Sequence, residues 1–246
     1  MYRPLCAPSA LQFAACTEVP LDWRRLVTLA TYLGARAGEL EALEWDDIDL
    51  AHGKVTIHRA VDRDRTGTKS VNNKEPRTFG VESELLPLLG AMHKEAGGSG
   101  RVVMMPRVRD LAELLRYFVA AAGVTRAELF ASDATRIGLR FHDLRATAVT
   151  WWAVRGDGAE RIWARTGHED WPTMRKYMRV AESLGAGFGS VFPPLPTQLL
   201  ARLPRIDPQS IRGITRNSLG IRKDYGNSSG ADGTRTRGLR RDRPAL

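Results

Sequence analysis

The chain has 246 residues, of which 43% are hydrophobic and 26% charged, with a formal net charge of +9. That is enough to bury a core for one large domain or two small ones, while no apolar run approaches the ~20 residues that span a bilayer and MYRPLCAPSALQFAAC lacks the pattern of a secretory signal. Residues 201–246 hold 11 Lys and Arg against 4 Asp and carry +7 of the charge, leaving only +2 on the first 200, so a nucleic-acid partner must be argued from placed residues rather than from the total.

In chain order, Cys6 and Cys16 come first and have neither disulfide-framework nor zinc-site spacing, which predicts a reducing, cytoplasmic setting. PLDWRRLVTLATYLGARAGELEALEWDDIDL carries apolar residues at helical spacing in two runs, about Asp22 to Leu33 and Gly38 to Trp45, with Gly34 and Gly38 at the bend between them. GKVTIHRAV switches to β-branched alternation and PRTFGV is a second short strand; the polar DRDRTGTKSVNNKE between them is an exposed basic turn. Helical spacing resumes in ESELLPLLGAMHKEA, RDLAELLRYFVAAAG and FHDLRATAVTWWAVRG, then in the shorter GAERIWARTG and PTMRKYMRVAESL. The expected fold class is α+β, mainly α-helical with a small antiparallel β-sheet. After FPPLP the sequence turns rich in Arg, Gly, Ser and Asn without apolar periodicity, which predicts a loosely held basic tail over residues 201–246.

Three patches carry chemistry-bearing residues: GARAGELEALEWDDIDL with Arg36, FHDLRATAV with His142 and Arg145, and GHEDWPTMRKYMR with His168 and Tyr177. An H-x-x-R match alone is expected by chance in a chain with this many arginines. Order and context add weight: Arg36 follows one helix and opens another, His142 and Arg145 lie one turn apart on one helical face, and His168 precedes a helix that holds Tyr177.

With these motifs in this order, the chain resembles the tyrosine recombinase (phage integrase) family over roughly Leu21 to Pro193, the span of that family's catalytic domain. LGARAGEL is similar to the family's T-G-L-R-x-G-E-L and places its first arginine at Arg36, with Glu39 as a supporting residue. The strand-turn lysine falls on Lys69 in GTKS, with Lys74 in the same turn region as the alternative. H-x-L-R falls on His142 and Arg145, L-G-H on His168, and the nucleophile on Tyr177. Ala35, Thr166 and Ala146 depart from the family's usual Leu, Leu and His without removing a reacting group.

The resemblance implies a tyrosine recombinase catalytic-domain fold over residues 21–200, a short leading remnant or linker over 1–20, and an enzyme that breaks and rejoins DNA through a covalent 3′-phosphotyrosyl link. Family members carry a core-binding domain ahead of this one, so the resemblance further implies a chain lacking that half of the DNA clamp. Planar guanidinium forks at Arg36 and Arg145 suit the charge that builds on a phosphoryl transition state. An unperturbed phenol near pKa 10 needs a base or positive surroundings to attack. The family assigns Lys69 as general acid, His142 as base or proton relay and His168 as a hydrogen-bond donor to the phosphate, with no cofactor and no metal. Implied partners are double-stranded DNA attachment sites, a homotetramer on DNA, and accessory DNA-bending or directionality factors, with no membrane. Two alternatives stay open: a catalytically silent DNA-binding remnant and a type IB topoisomerase-like strand transferase. Trp151 and Trp152 are expected in the core, and His52, His58 and His93 have no supporting pattern.

Overall fold

Pro8 sits in the first turn of α1 (Ala7–Ala15), a place where its missing N–H costs nothing. The fold is seen in a computed structural model that describes residues 4–61, 67–70, 76–106, 111–132, 137–167, 171–184 and 188–200. These described residues all fall within one compact unit, and residues 201–246 lie outside them.

α1 packs on α2 (Leu21–Leu33), whose residues are buried almost all round. A helix that buries every face must satisfy its polar groups internally, and its two adjacent arginines do so. Arg24 donates to the carbonyls of Val19 and Ala14, while Arg25 forms a two-pronged pair with Glu95 at 2.6 and 2.9 Å and donates to Leu199 O. α6 (His142–Arg155), the central helix, also packs on α2, with Trp151 and Trp152 fully buried as expected. Trp151 Nε1 donates to Leu5 O and Leu5 N to Thr147 Oγ1, so the leading residues are fastened to α6 as well.

Gly34 ends α2 in the left-handed region at φ 59°, and a Cβ there would meet Trp152 at 2.8 Å. Only glycine allows both the turn and the close approach of α2 to α6. α3 (Ala37–Ala42) follows and stops earlier than the apolar spacing predicted. Leu43 turns extended so that its carbonyl accepts from Val102 N, and Trp45–Asp47 continue as a 3-10 turn whose Trp45 N donates to Gly100 O.

The small antiparallel sheet is present, in two parts. β1 (Ile48–Asp49), β2 (Lys54–Ile57) and β5 (Arg77–Gly80) form one sheet in the order β1-β2-β5, with Val55 opposite both Ile48 and Phe79. β3 (Arg59–Val61) and β4 (Thr68–Ser70) form a separate two-stranded ribbon. The run GKVTIHRAV, which alternates like one strand, is therefore divided at His58. The division has tertiary causes: His58 Nε2 pairs with Asp47 Oδ1 at 2.8 Å, and Arg59 Nη2 reaches Glu44 and Asp47 at 2.7 and 3.0 Å.

α4 (Leu86–Ala96) and α5 (Leu111–Ala121) follow, α4 preceded by a 3-10 turn at Ser83–Leu85. α7 (Ala159–Thr166) ends at Gly167, again left-handed at φ 59°, and α8 (Trp171–Glu182) packs against α6. No described helix is long and apolar enough to cross a membrane.

Candidate active site

Arg36 is the residue just before α3, where the backbone is still extended, and Glu39 sits three residues on. That spacing lets the Glu39 carboxylate reach back: Oε2 accepts from Arg36 N at 2.8 Å and Oε1 from Arg36 Nη1 at 3.0 Å. Gly38 between them faces β3, where a Cβ would meet Val61 O at 2.8 Å. Glycine thus brings the start of α3 against the ribbon whose β4 carries Lys69, set opposite Ala60.

Arg145 enters from the first turn of α6 with only 2% of its side chain exposed. Nη1 donates to Gly34 O at 2.7 Å and Nη2 to Thr166 O at 2.5 Å, which fixes the guanidinium plane between the end of α2 and the end of α7. Nη1 also lies 3.8 Å from Glu39 Oε2. Among the described residues its Nε is buried without a hydrogen-bond partner. Burial lowers the pKa of Arg145, Glu39 pulls it back up, and Arg36 and Arg77 push it down again, to about 9; the group is cationic at neutral pH.

Glu39 has 1% of its side chain exposed and accepts from a second arginine, Arg77 of β5, whose Nη2 is 2.6 Å from Oε2. Burial pushes the Glu39 carboxyl up, but Arg77, Arg145 and the Arg36 N–H outweigh it and hold it at about 2. Sequence reasoning missed Arg77. Its partners lie far along the chain, and the signal available was weak: a charged residue in PRTFGV in phase with the buried Phe79.

His142 opens to solvent at the start of α6, yet the surrounding protein withdraws enough water to lower its pKa; Arg145, Arg140 and Arg36 lower it further against the pull of Asp143. It is neutral at pH 7 and able to accept a proton. Asp143 repeats the reach-back seen at Glu39, with Oδ2 accepting from Arg140 N at 2.8 Å and both oxygens pairing with the Arg140 side chain. Asp143 and Arg140 were likewise not singled out from sequence, although an acid three residues after the start of a motif is a helix-end signal.

Tyr177 lies on α8, half-buried against the core. Burial raises its pKa, Arg145 lowers it, Asp143 raises it and Arg140 lowers it. The phenol is protonated at neutral pH and lies within the field of Arg145, so an attacking role requires a proton acceptor. The structure therefore gathers Arg36, Glu39, His142, Arg145 and Tyr177 around the start of α3 and the start of α6. His168 and Lys74 lie outside the described residues; Lys69 is placed by its backbone on β4. Among the described residues no cluster of His, Cys, Asp and Glu has the arrangement of a metal site.

The sequence profile of the phage integrase family matches residues 8–183 of this chain. No curated protein matches it. Among solved structures, the Tn1549 transposon integrase in complex with a circular intermediate DNA is 17% identical over 72% of this chain and 61% of its own, with a TM-score of 0.57. XerA recombinase is 18% identical over 76% of this chain and 61% of its own, with a TM-score of 0.56. The catalytic domain of bacteriophage HP1 integrase is 19% identical over 74% of this chain and 90% of its own, with a TM-score of 0.50. At these identities the likeness is one of fold. The chain spans about three-fifths of the length of the Tn1549 and XerA proteins.

Proposed function

Because this chain belongs to the phage integrase family, we propose that it is a site-specific DNA recombinase that breaks and rejoins strands through Tyr177. The observation that supports this best is the surplus of positive charge at one carboxylate: Glu39 meets Arg36, Arg77 and Arg145, beside a neutral histidine and a tyrosine. One anion among three guanidiniums leaves room for a second anion, and a DNA phosphodiester supplies it. DNA accompanies the Tn1549 integrase in its structure.

In the proposed reaction the Tyr177 oxygen attacks the scissile phosphorus while His142 takes the phenolic proton. The bond from phosphorus to the 5′-oxygen breaks, and that oxygen takes a proton from Lys69, leaving a 3′-phosphotyrosyl link and a free 5′-hydroxyl. Arg36 and Arg145 stabilise the nonbridging oxygens, with His168 as a further donor. The phosphotyrosyl bond keeps the energy of the broken diester, so resealing to another strand needs no nucleotide. A homotetramer on two DNA duplexes, helped by accessory bending or directionality factors and serving a mobile element, completes the assignment.

The test is a library of suicide duplexes with a randomised central block, incubated with the protein and screened for covalent protein-DNA adducts. An adduct is expected from the wild type and none from Tyr177→Phe. An adduct retained by Tyr177→Phe overturns the assignment; DNA binding without any adduct favours a silent DNA-binding protein.

A further inference from the structure

Arg77 stands on the inward face of an edge strand, in phase with buried Phe79, and its side chain is 10% exposed. A guanidinium there must have all its charge answered by the protein. Among the described residues it donates hydrogen bonds to two different elements: Nη2 to Glu39 Oε2 at 2.6 Å, and Nε to Arg165 O at 2.9 Å. The second is a carbonyl in the last turn of α7, where helix geometry leaves acceptors unfilled and favours a cation. A Cβ added at Gly167, the next turn, would lie 3.5 Å from Arg77 Cδ and Nη1.

Glu39 has two oxygens and three arginines in reach. Oε1 goes to Arg36 Nη1 at 3.0 Å, and Oε2 takes Arg77 Nη2 together with the Arg36 N–H. Arg145 is kept back at 3.8 Å from Oε2 and spends the same nitrogen on Gly34 O instead. With Arg77 absent, the strongest partner of Oε2 is gone and Arg145 is the nearest replacement cation. A charge-assisted pair with Glu39 would turn the Arg145 fork away from Gly34 and cancel charge meant for a phosphate.

We propose that Arg77 is a positioning residue for the proposed strand cleavage: by occupying Glu39 Oε2 it keeps that carboxylate from capturing Arg145, and by holding Arg165 O it fixes the α7 end against α3. The inference rests on the assignment of Arg36, Arg145 and Tyr177 as the reacting set. Among the described residues the charged groups facing Glu39 are Arg36 from its own helix start, Arg77 from β5 and Arg145 from α6, while the Thr166 and Gly167 carbonyls at the α7 end accept from Arg145 and Arg36.

Arg77→Gln should lower the rate of Tyr177-dependent adduct formation at saturating DNA by about a hundredfold, the scale of a misplaced catalytic group. Arg77→Lys, which returns a cation to Oε2, should recover part of the rate. The double variant Glu39→Gln with Arg77→Gln should be faster than Arg77→Gln alone, because the capturing carboxylate is removed; a residue that merely supported the fold would show no such rescue. Without DNA, carbon NMR of the Glu39 carboxyl should titrate higher in Arg77→Gln than in the wild type. A double variant no faster than Arg77→Gln, an Arg77→Gln rate equal to wild type, or an unmoved Glu39 titration overturns the inference. An adduct that survives Tyr177→Phe instead overturns the assignment beneath it, and the inference falls with that assignment.

Discussion

Glu39 and Glu82 are both buried carboxylates ringed by cations, and they differ in how the charge adds up. Glu82 accepts from Trp152 Nε1 at 2.9 Å and Arg165 Nη1 at 2.7 Å and pairs with Arg155, which also pairs with Asp157. Two acids answer two arginines in direct pairs, and the cluster ties the segment just after β5 to α6 and α7. At Glu39, among the described residues, one acid answers Arg36, Arg77 and Arg145, the Nε of Arg145 has no partner, and Arg36 is 39% exposed. A neutral cluster behaves as a strut. A cluster with surplus cations, one of them exposed, behaves as an anion site, and the contrast separates the two uses of the same residue types.

Breaking the comparison from the Glu39 side should give the largest effect. Arg36→Ala should reduce adduct formation by about 10²–10³-fold, the usual loss on removing one transition-state donor, while the thermal midpoint stays close to wild type because the side chain is well exposed. Rate and melting measured on one preparation check both halves. Glu82→Gln should do the reverse: removing one partner of a buried pair costs about 3 kcal/mol, read as a lower urea midpoint, with adduct formation per folded molecule unchanged. If Glu82→Gln slows cleavage as much as Arg36→Ala does, the division between strut and site is wrong.

The smallest effect sharpens the comparison through pH. Both carboxyls are held below their ordinary 4.5, for Glu39 at about 2. Their folded pKa values are depressed, so the stability they contribute is whole above about pH 4.5 and is lost as pH falls through the folded values. Urea midpoints across the acid range should fall steeply in the wild type and less steeply in Glu82→Gln. A variant with the wild-type slope would show that the Glu82 pair adds nothing that protonation can remove.

Much of the site was legible because its contacts are local. Glu39 reaching back to Arg36 and the adjacency of His142 and Arg145 on one helix follow from spacing of three residues, which backbone geometry converts into contact. The same logic applies to Asp143 and Arg140, and attention to helix starts would have found them. Arg77 was not legible: its partners are 38 and 88 positions away, and an arginine in a short strand reads as surface charge. The division of GKVTIHRAV at His58 was hidden for the same reason, since the alternation continues while Asp47 and Glu44 pull the chain into a second ribbon.

By itself the sequence determined the family, the mainly helical body with its small sheet, and the glycine turn at 34, since periodicity and turn chemistry are written in neighbouring residues, whereas Gly38 lies inside α3 and its approach to Val61 O came from packing. Tertiary structure alone decided the ratio of charges around Glu39, the burial of Arg145 and the unspent Nε. These depend on how the ends of α2, α3 and α7 meet β5 and α6, and hydrogen bonds that span 111 positions, as from Arg145 to Gly34, come from packing and leave no trace in local spacing.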